Sequence, residues 1–369
     1  MTTRLPWKHA RKIVCIRLDN MGDVLMTTPA MRALKSAEAD RCITLLASPA
    51  GAALAPYIPV VDRTITYEAP WVKNAGNSLK ADDRMLNALR AGNFDAAVIF
   101  TVYSQSPLPA ALICRMAGIP LVLAHCRENP YCLLSDWVPE CEPESVVRHE
   151  VQRQLDLVAQ VQALPSDSRL VFVTRQADRA SLRAKLQLRN VDPEGDWIVA
   201  HCGATAASRR YPAGHYIRAL RQLGDRAGQV MLTGNGTEQL MTKQIAQQCA
   251  DRVPVFDLAG ALSLGEFACL LEDATLLLSN NTGPVHIAAA VGTPVVDLYA
   301  LTNPQHTPWM VPHRVLFHDV PCKYCYRSVC PRAHHNCLRL VAPERVCDAV
   351  TGLLADIRQQ PRLRTAGRH

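Results

Sequence analysis

No stretch of this sequence stays apolar for the roughly 18 residues that a membrane-spanning helix requires, and the opening residues, MTTRLPWKHARKIVCIRLDN, contain no apolar core of secretory-leader length. The expectation is a cytoplasmic protein. Strong charge is missing too: 40 Lys and Arg against 33 Asp and Glu leave a formal +7, enough to attract phosphates or an acidic membrane surface but no indication of nucleic-acid binding. Low-complexity tracts and repeats of solenoid period are absent. What is present is 369 residues with 49 % hydrophobic content, sufficient for two buried cores and therefore for two domains. Of the 14 cysteines, ten are scattered singly, as at Cys15, Cys114, Cys202 and Cys269 in apolar segments, where a reduced thiol acts as a small hydrophobe.

Apolar runs of strand length alternate with amphipathic runs of helix length, the pattern of a parallel sheet covered by helices on both faces. One series comprises KIVCIRL (12–18), CITLLAS (42–48), DAAVIFT (95–101) and PLVLAHC (120–126). A second comprises DWIVAHC (196–202), QVMLTGN (229–235), TLLLSN (275–280) and PVVDLYA (294–300). Between them, after a helical HEVQRQLDLVAQV (149–161), the composition turns polar and charged, which puts the junction near 162–195. The expected architecture is α/β: two Rossmann-like domains, 1–165 and 166–345, facing each other across a cleft, then a closing helix and a basic, poorly ordered tail within 346–369.

In such sheets ligands bind beyond the carboxyl ends of the strands, so the strand-to-helix turns carry the candidate sites. SNNTGPVH (279–286) ends a buried strand, and Pro284 suits the first turn of a helix. Thr282 and Gly283 then offer N–H groups and a hydroxyl at a helix N-terminus, a favourable place for an anion, with His286 one turn further on. Ordinary capping, or helix packing for His286, would use the same residues. In RLDNMGDVL, Gly22 permits close approach and Asp23 could accept a proton from a hydroxyl nucleophile, although an acidic residue near a helix start is also a common cap. HCGATAASRRYP presents Gly203 before Arg209 and Arg210, either of which could fork two phosphate oxygens or simply be solvated. LTGNGTEQL adds Gly234 and is the least specific.

Together RLDNMGDVLMTTPAMRALK, the GA…SRRYP loop, DLAGALSLGEFACLLEDATLLLSNNTGPVHIAAAVGTPVVDLY and PCKYCYRSVCPRAHHNCLRLVAPERV resemble glycosyltransferase family 9, the heptosyltransferases of lipopolysaccharide core assembly. The resemblance implies the two-domain GT-B fold, with 1–165 binding the acceptor and 166–345 an ADP-activated sugar, and inverting transfer that requires no cofactor. It assigns Asp23 as general base, Arg209 as the residue neutralising the leaving diphosphate, and Thr282 with Gly283 as the diphosphate-binding turn. Asn281 departs from it, because the family usually carries Asp there; an amide can still bond sugar or nucleotide hydroxyls but lacks the charge. A lipid-linked oligosaccharide acceptor would bring the enzyme to the cytoplasmic face of the inner membrane, in peripheral contact with anionic lipid. Nucleic acid is not an expected partner.

Cys322, Cys325, Cys330 and Cys337, with His334 and His335 between the last two, could bind a structural zinc or, less readily, iron. The spacing after the first pair fits no standard zinc pattern, so packed thiols or a disulfide are the alternatives. Two other functions fit the chain: a GT-B-like nucleotide-sugar epimerase, and a binding scaffold whose Asn281 marks lost catalysis.

Overall fold

The computed structural model describes residues 6–72 and 78–359. The basic tail from Gln360 onward lies outside the described residues. The chain divides between Val173 and Thr174 into two compact units.

Unit 1 contains strands β1 (Lys12–Arg17), β2 (Cys42–Ala47), β3 (Arg63–Thr66), β4 (Ala96–Ile99), β5 (Leu121–Cys126) and β6 (Asp136–Pro139). Helices α1 (Met21–Ser36), α2 (Pro49–Ala52), α3 (Leu79–Gly92), α4 (Leu108–Met116) and α5 (Glu150–Ala159) connect or cover them. The strands form one sheet in the order β3-β2-β1-β4-β5-β6, with every pairing parallel. The order reverses between β1 and β4, the switch point at which an open α/β sheet leaves a crevice.

Unit 2 repeats the plan with β7 (Trp197–His201), β8 (Gln229–Thr233), β9 (Val255–Asp257), β10 (Leu276–Asn280), β11 (Val295–Leu298) and β12 (His313–Leu316). Its helices are α6 (Gln176–Gln187), α7 (Ala213–Leu223), α8 (Gln239–Cys249), α9 (Leu264–Asp273), α10 (Gly283–Val291), α11 (Asn336–Arg339) and α12 (Pro343–Gln359). The parallel order β12-β11-β10-β7-β8-β9 puts the second switch point between β7 and β10. The expected closing helix is α12, packed on α7, β11 and β12.

The eight expected strands are the central ones, buried on both faces, which is why they read as continuous apolar runs. The sequence reading omitted β3, β6, β9 and β12. All four are edge strands of three or four residues with largely exposed or half-buried side chains, so they leave no apolar run to detect. Helix α1 starts two residues before Asp23 and carries Pro29 in its interior. A proline there cannot donate to the Leu25 carbonyl, and the Thr28 hydroxyl donates to it instead at 2.6 Å. That substitution keeps the helix intact beneath the turn that presents Asp23.

Candidate active site

In unit 2 the turns after β7, β8 and β10 meet at the carboxyl edge of one sheet. Asn280, fully buried, ties two of them together: its amide donates to the carbonyls of Cys202 (2.9 Å) and Gly203 (3.1 Å), and its oxygen accepts from the Tyr211 N–H at 3.0 Å. Asn281 faces the other way. Its amide donates to Asp297 Oδ2 and to the His306 carbonyl, both at 2.8 Å, so this side chain is engaged inside the protein. Asp297 is fully buried, and among the described residues its Oδ1 has no hydrogen-bond partner. Burial pushes its carboxyl up to about 8 against the opposing effects of the Asn281 amide and the Arg209 charge.

Helix α10 begins at Gly283, with Thr282 as its N-cap residue. The N-cap side chain does not cap it: the Thr282 hydroxyl donates back to the Asn280 carbonyl at 3.3 Å instead. A side chain at Gly283 would enter open space, so the amides there are approachable. His286 is buried and lies edge-on to His306, with ring centres 6.4 Å apart. Of the two arginines, Arg210 is spent within its own loop, donating to the Ala204 (2.7 Å) and Thr205 (3.4 Å) carbonyls. Arg209 is half-buried and its charge acts on Asp297. Gly203 and Gly234 both lie against the Glu238 side chain: a Cβ at Gly203 would come within 2.0 Å of its carboxylate, and one at Gly234 within 3.0 Å. Their backbone therefore makes room for Glu238, whose carboxylate completes a capping box with Asn235.

In unit 1, Asp23 is the third residue of α1, and its carboxylate accepts from the Asn20 N–H at 3.2 Å. It is half-buried, and Gly22 beside it is buried. Arg17, at the end of β1, is completely buried and gathers three carboxylates: Glu150 at 2.7 Å, Asp19 at 2.9 Å and Asp23 at 3.4 Å. Gln154 supports Glu150 at 2.7 Å, and Gln105 donates to Asp19 at 2.7 Å across the switch point. Asp19 is pushed above the usual carboxylate range, first by burial and then by the Asp23 charge, against the pull of Arg17. The sequence reading missed Arg17, Asp19 and Glu150. An arginine closing an otherwise apolar strand was the available signal for the first two; Glu150 arrives from a helix over a hundred residues away.

The four clustered cysteines, with His334 and His335, line one cavity of about 20 Å3, roughly the space of a single water. Burial and the three neighbouring thiols raise the Cys337 thiol. Soft sulfur donors suit zinc or iron chemically, yet among the described residues no three His, Cys, Asp or Glu side chains are arranged to hold a metal ion. This segment also braces the Arg209 turn: Ser208 donates through its hydroxyl to the Arg327 carbonyl (2.8 Å) and through its N–H to that of Ser328 (3.1 Å).

Two units, each with a parallel sheet of Rossmann-type strand order, joined in one chain make the GT-B architecture, and comparison with solved structures agrees on that fold. The glycosyl transferase family 9 protein of Veillonella parvula superposes with a TM-score of 0.77 at 18 % identity, covering 96 % of this chain and 99 % of that one. The ADP-heptose lipopolysaccharide heptosyltransferase II of Escherichia coli superposes with a TM-score of 0.72 at 23 % identity, covering 94 % and 99 %. The family model for glycosyltransferase family 9 (heptosyltransferase) matches residues 83–335, more than half of the chain. This chain belongs to that family. Among curated relatives, lipooligosaccharide heptosyltransferase 2 of Haemophilus ducreyi is 26 % identical over 363 residues, spanning 93 % of this chain and 99 % of the relative.

Proposed function

We propose that this glycosyltransferase moves a heptose, or a closely related sugar, from an ADP-activated donor to a hydroxyl of the lipopolysaccharide core or a related surface glycan, with inversion and without a metal in the transfer step. Heptose and the lipopolysaccharide acceptor rest on the activities for which the relatives are named. The observation that carries the chemistry is the N-terminus of α10 at Thr282 and Gly283, left uncapped by the Thr282 side chain, at the same sheet edge as the Arg209 turn.

Unit 2 binds the donor in this reading, and unit 1 the acceptor. As the bond from the anomeric carbon to the diphosphate oxygen breaks, its electron pair leaves with ADP. Preoriented amides of α10 and the Arg209 guanidinium meet the growing negative charge, stabilising the transition state more than the ground state. The acceptor hydroxyl attacks from the opposite face of the sugar, and its proton passes to the Asp23 carboxylate, which Arg17 and the Asn20 N–H hold in place.

The test is acceptor-dependent release of ADP from ADP-heptose, using a Kdo-lipid A-type acceptor, with and without a chelator. Sugar isomerisation without ADP release would instead mark an epimerase, and ADP binding with neither outcome a scaffold. Asp23→Asn is expected to lower turnover by about 10²- to 10⁴-fold while ADP affinity is unchanged. A variant with near-normal turnover removes Asp23 from this role.

A structural zinc held by Cys322, Cys325, Cys330 and Cys337 is the accompanying reading, supported by their shared cavity and soft donors. One equivalent of zinc in the purified protein, lost on replacing Cys325 and Cys330 with serine, is expected; metal-free wild-type protein with full stability rules it out. The lipid-linked acceptor brings the enzyme to the inner-membrane surface at its cytoplasmic face. Flotation with anionic vesicles tests this, and no shift relative to neutral vesicles argues against it. No helix among the described residues is long and apolar enough to cross a membrane.

A further inference from the structure

One buried cation in unit 1 is shared by three acids. Arg17 closes β1 with its side chain fully buried, and its guanidinium reaches Glu150 of α5 through Nη1 at 2.7 Å, Asp19 of the following turn through Nε at 2.9 Å, and Asp23 of α1 through Nη2 at 3.4 Å. Glu150 is as buried as Arg17, whereas Asp19 and Asp23 keep 10 % and 13 % of their side-chain surface.

Neighbouring groups fix each acid in place. Gln154 donates to Glu150 and Gln105 to Asp19, both at 2.7 Å, and the Asn20 N–H donates to Asp23 at 3.2 Å. With three carboxylates ionised against one guanidinium, the cluster carries two negative charges in excess. Like charges held together away from bulk water oppose each other's ionisation, so Asp19 and Asp23 lose their protons in two steps that belong to the pair, the second of them raised. Asp19 shows the balance: burial raises it most, Arg17 pulls it down, and the charges of Asp23 and Glu150 push it up again against the Gln105 bond. Asp23 by itself would be a weak base. The start of α1, the Arg17 guanidinium and the Asn20 N–H all favour its ionised form and so loosen its hold on a proton. Asp19 works in the opposite direction.

We infer that Asp19 is a positioning residue for the transfer: fixed on the same guanidinium as Asp23, its negative charge makes Asp23 a stronger base than Arg17 and the helix start alone would leave it. The inference rests on the transferase reading above and adds a residue to its chemistry. As the acceptor oxygen bonds the anomeric carbon, its O–H bond breaks, the electron pair stays with that oxygen and the proton goes to Asp23. The excess charge of the cluster then falls from two to one, which is what favours the step. Asp19 itself makes and breaks no bond; it acts through the charge it sets beside the base.

The experiment records kcat/KM for the Kdo-lipid A-type acceptor across about pH 4.5 to 8, with ADP-heptose saturating, in full-length wild type, Asp19→Asn and Asp23→Asn. Ionisations of the acceptor are common to all three and cancel in the comparison. The acid limb of the wild type is expected above the ordinary carboxylate value, and Asp19→Asn is expected to lower its midpoint by about one pH unit. The loss at the plateau should stay well short of the about 10²-fold or more expected of Asp23→Asn. A limb that stays in place overturns the inference, even where the rate falls uniformly, because a merely structural Asp19 would do the same; a limb that moves up overturns it too. Should Asp19→Asn fail to fold, carbon NMR of isotope-labelled aspartate carboxyls reads the coupling from the other side. Coupling is reciprocal, so the Asp19 carboxyl is expected to titrate at lower pH in Asp23→Asn than in wild type, and an unshifted titration overturns the inference. Near-normal turnover in Asp23→Asn counts instead against the choice of base, and absence of acceptor-dependent ADP release by the wild type against the transferase reading.

Discussion

Asn281 holds the buried Asp297 carboxyl through a single amide hydrogen at 2.8 Å, so Asn281→Asp would remove that donor, put a second acidic group into the buried site and strip the His306 carbonyl of its Asn281 donor. The expected cost is about 2 kcal/mol or more in urea denaturation, with recovery in the double variant Asn281→Asp, Asp297→Asn. An unchanged midpoint would show that the pair does not matter. The sign with pH follows from the raised carboxyl: folded Asp297 keeps its proton up to about 8, while in the unfolded chain it ionises near the ordinary 3.8. Its contribution therefore declines as pH rises through that interval, and Asp297→Asn should flatten the decline. Sequence marked Asn281 as unusual but could not give its partner, because Asp297 sits on a different strand in an ordinary apolar run. The same applies to Asn280, whose three hydrogen bonds reach back to residues about 70 to 80 positions earlier in the chain.

Helix α10 shows what a turn alone reveals. The Thr-Gly-Pro order announces a helix start, and the structure begins α10 at Gly283. That the Thr282 side chain does not cap this start is a fact of hydrogen bonding, which composition does not record. Gly283→Ala meets no obstacle within 4 Å and should fold with wild-type stability. If the amides there hold the diphosphate, the added methyl is expected to weaken ADP binding about tenfold by calorimetry; an unchanged affinity would place the diphosphate elsewhere. The central strands were legible because burial on both faces makes them continuously apolar, and the edge strands were not because solvent replaces one neighbour. Turns rich in Gly, Pro and Asn were legible for a related reason: the backbone needs those residues there. The Arg17 cluster was only half visible, since Asp19 and Asp23 are close in sequence and Glu150 is not.

Across the whole molecule, acid sensitivity should come from histidine before carboxylates. Burial pushes the imidazoles of His125 and His201 from the ordinary 6.5 down to about 4, with Arg153 adding to the effect at His125. The folded chain keeps both neutral where the unfolded chain takes up protons, so stability falls as pH drops from about 6.5 toward 4. For His125 the loss by pH 4 is of the order of 3 kcal/mol. Urea midpoints across this range should be steeper for wild type than for His125→Gln or His201→Gln; identical slopes would show that neither ring is held neutral.

The placement of the thiols also gives the chemist selective access. Burial raises Cys114 to about 12 and Cys249 and Cys269 to about 11, leaving almost no thiolate near neutrality. Cys330 goes the other way: burial is the largest single influence and raises it, but the backbone N–H groups of Arg332, Ala333, His334 and His335 together outweigh it and hold the thiol below the ordinary value. A maleimide at neutral pH should therefore tag the exposed Cys132 and Cys141 and spare the interior, and should reach Cys330 only in protein stripped of the proposed zinc. Peptide mass spectrometry would read this pattern directly, and in metal-stripped protein a fluorophore attached at Cys330 would sit on the segment that braces the Arg209 turn, where it would report nucleotide arrival without any engineered cysteine.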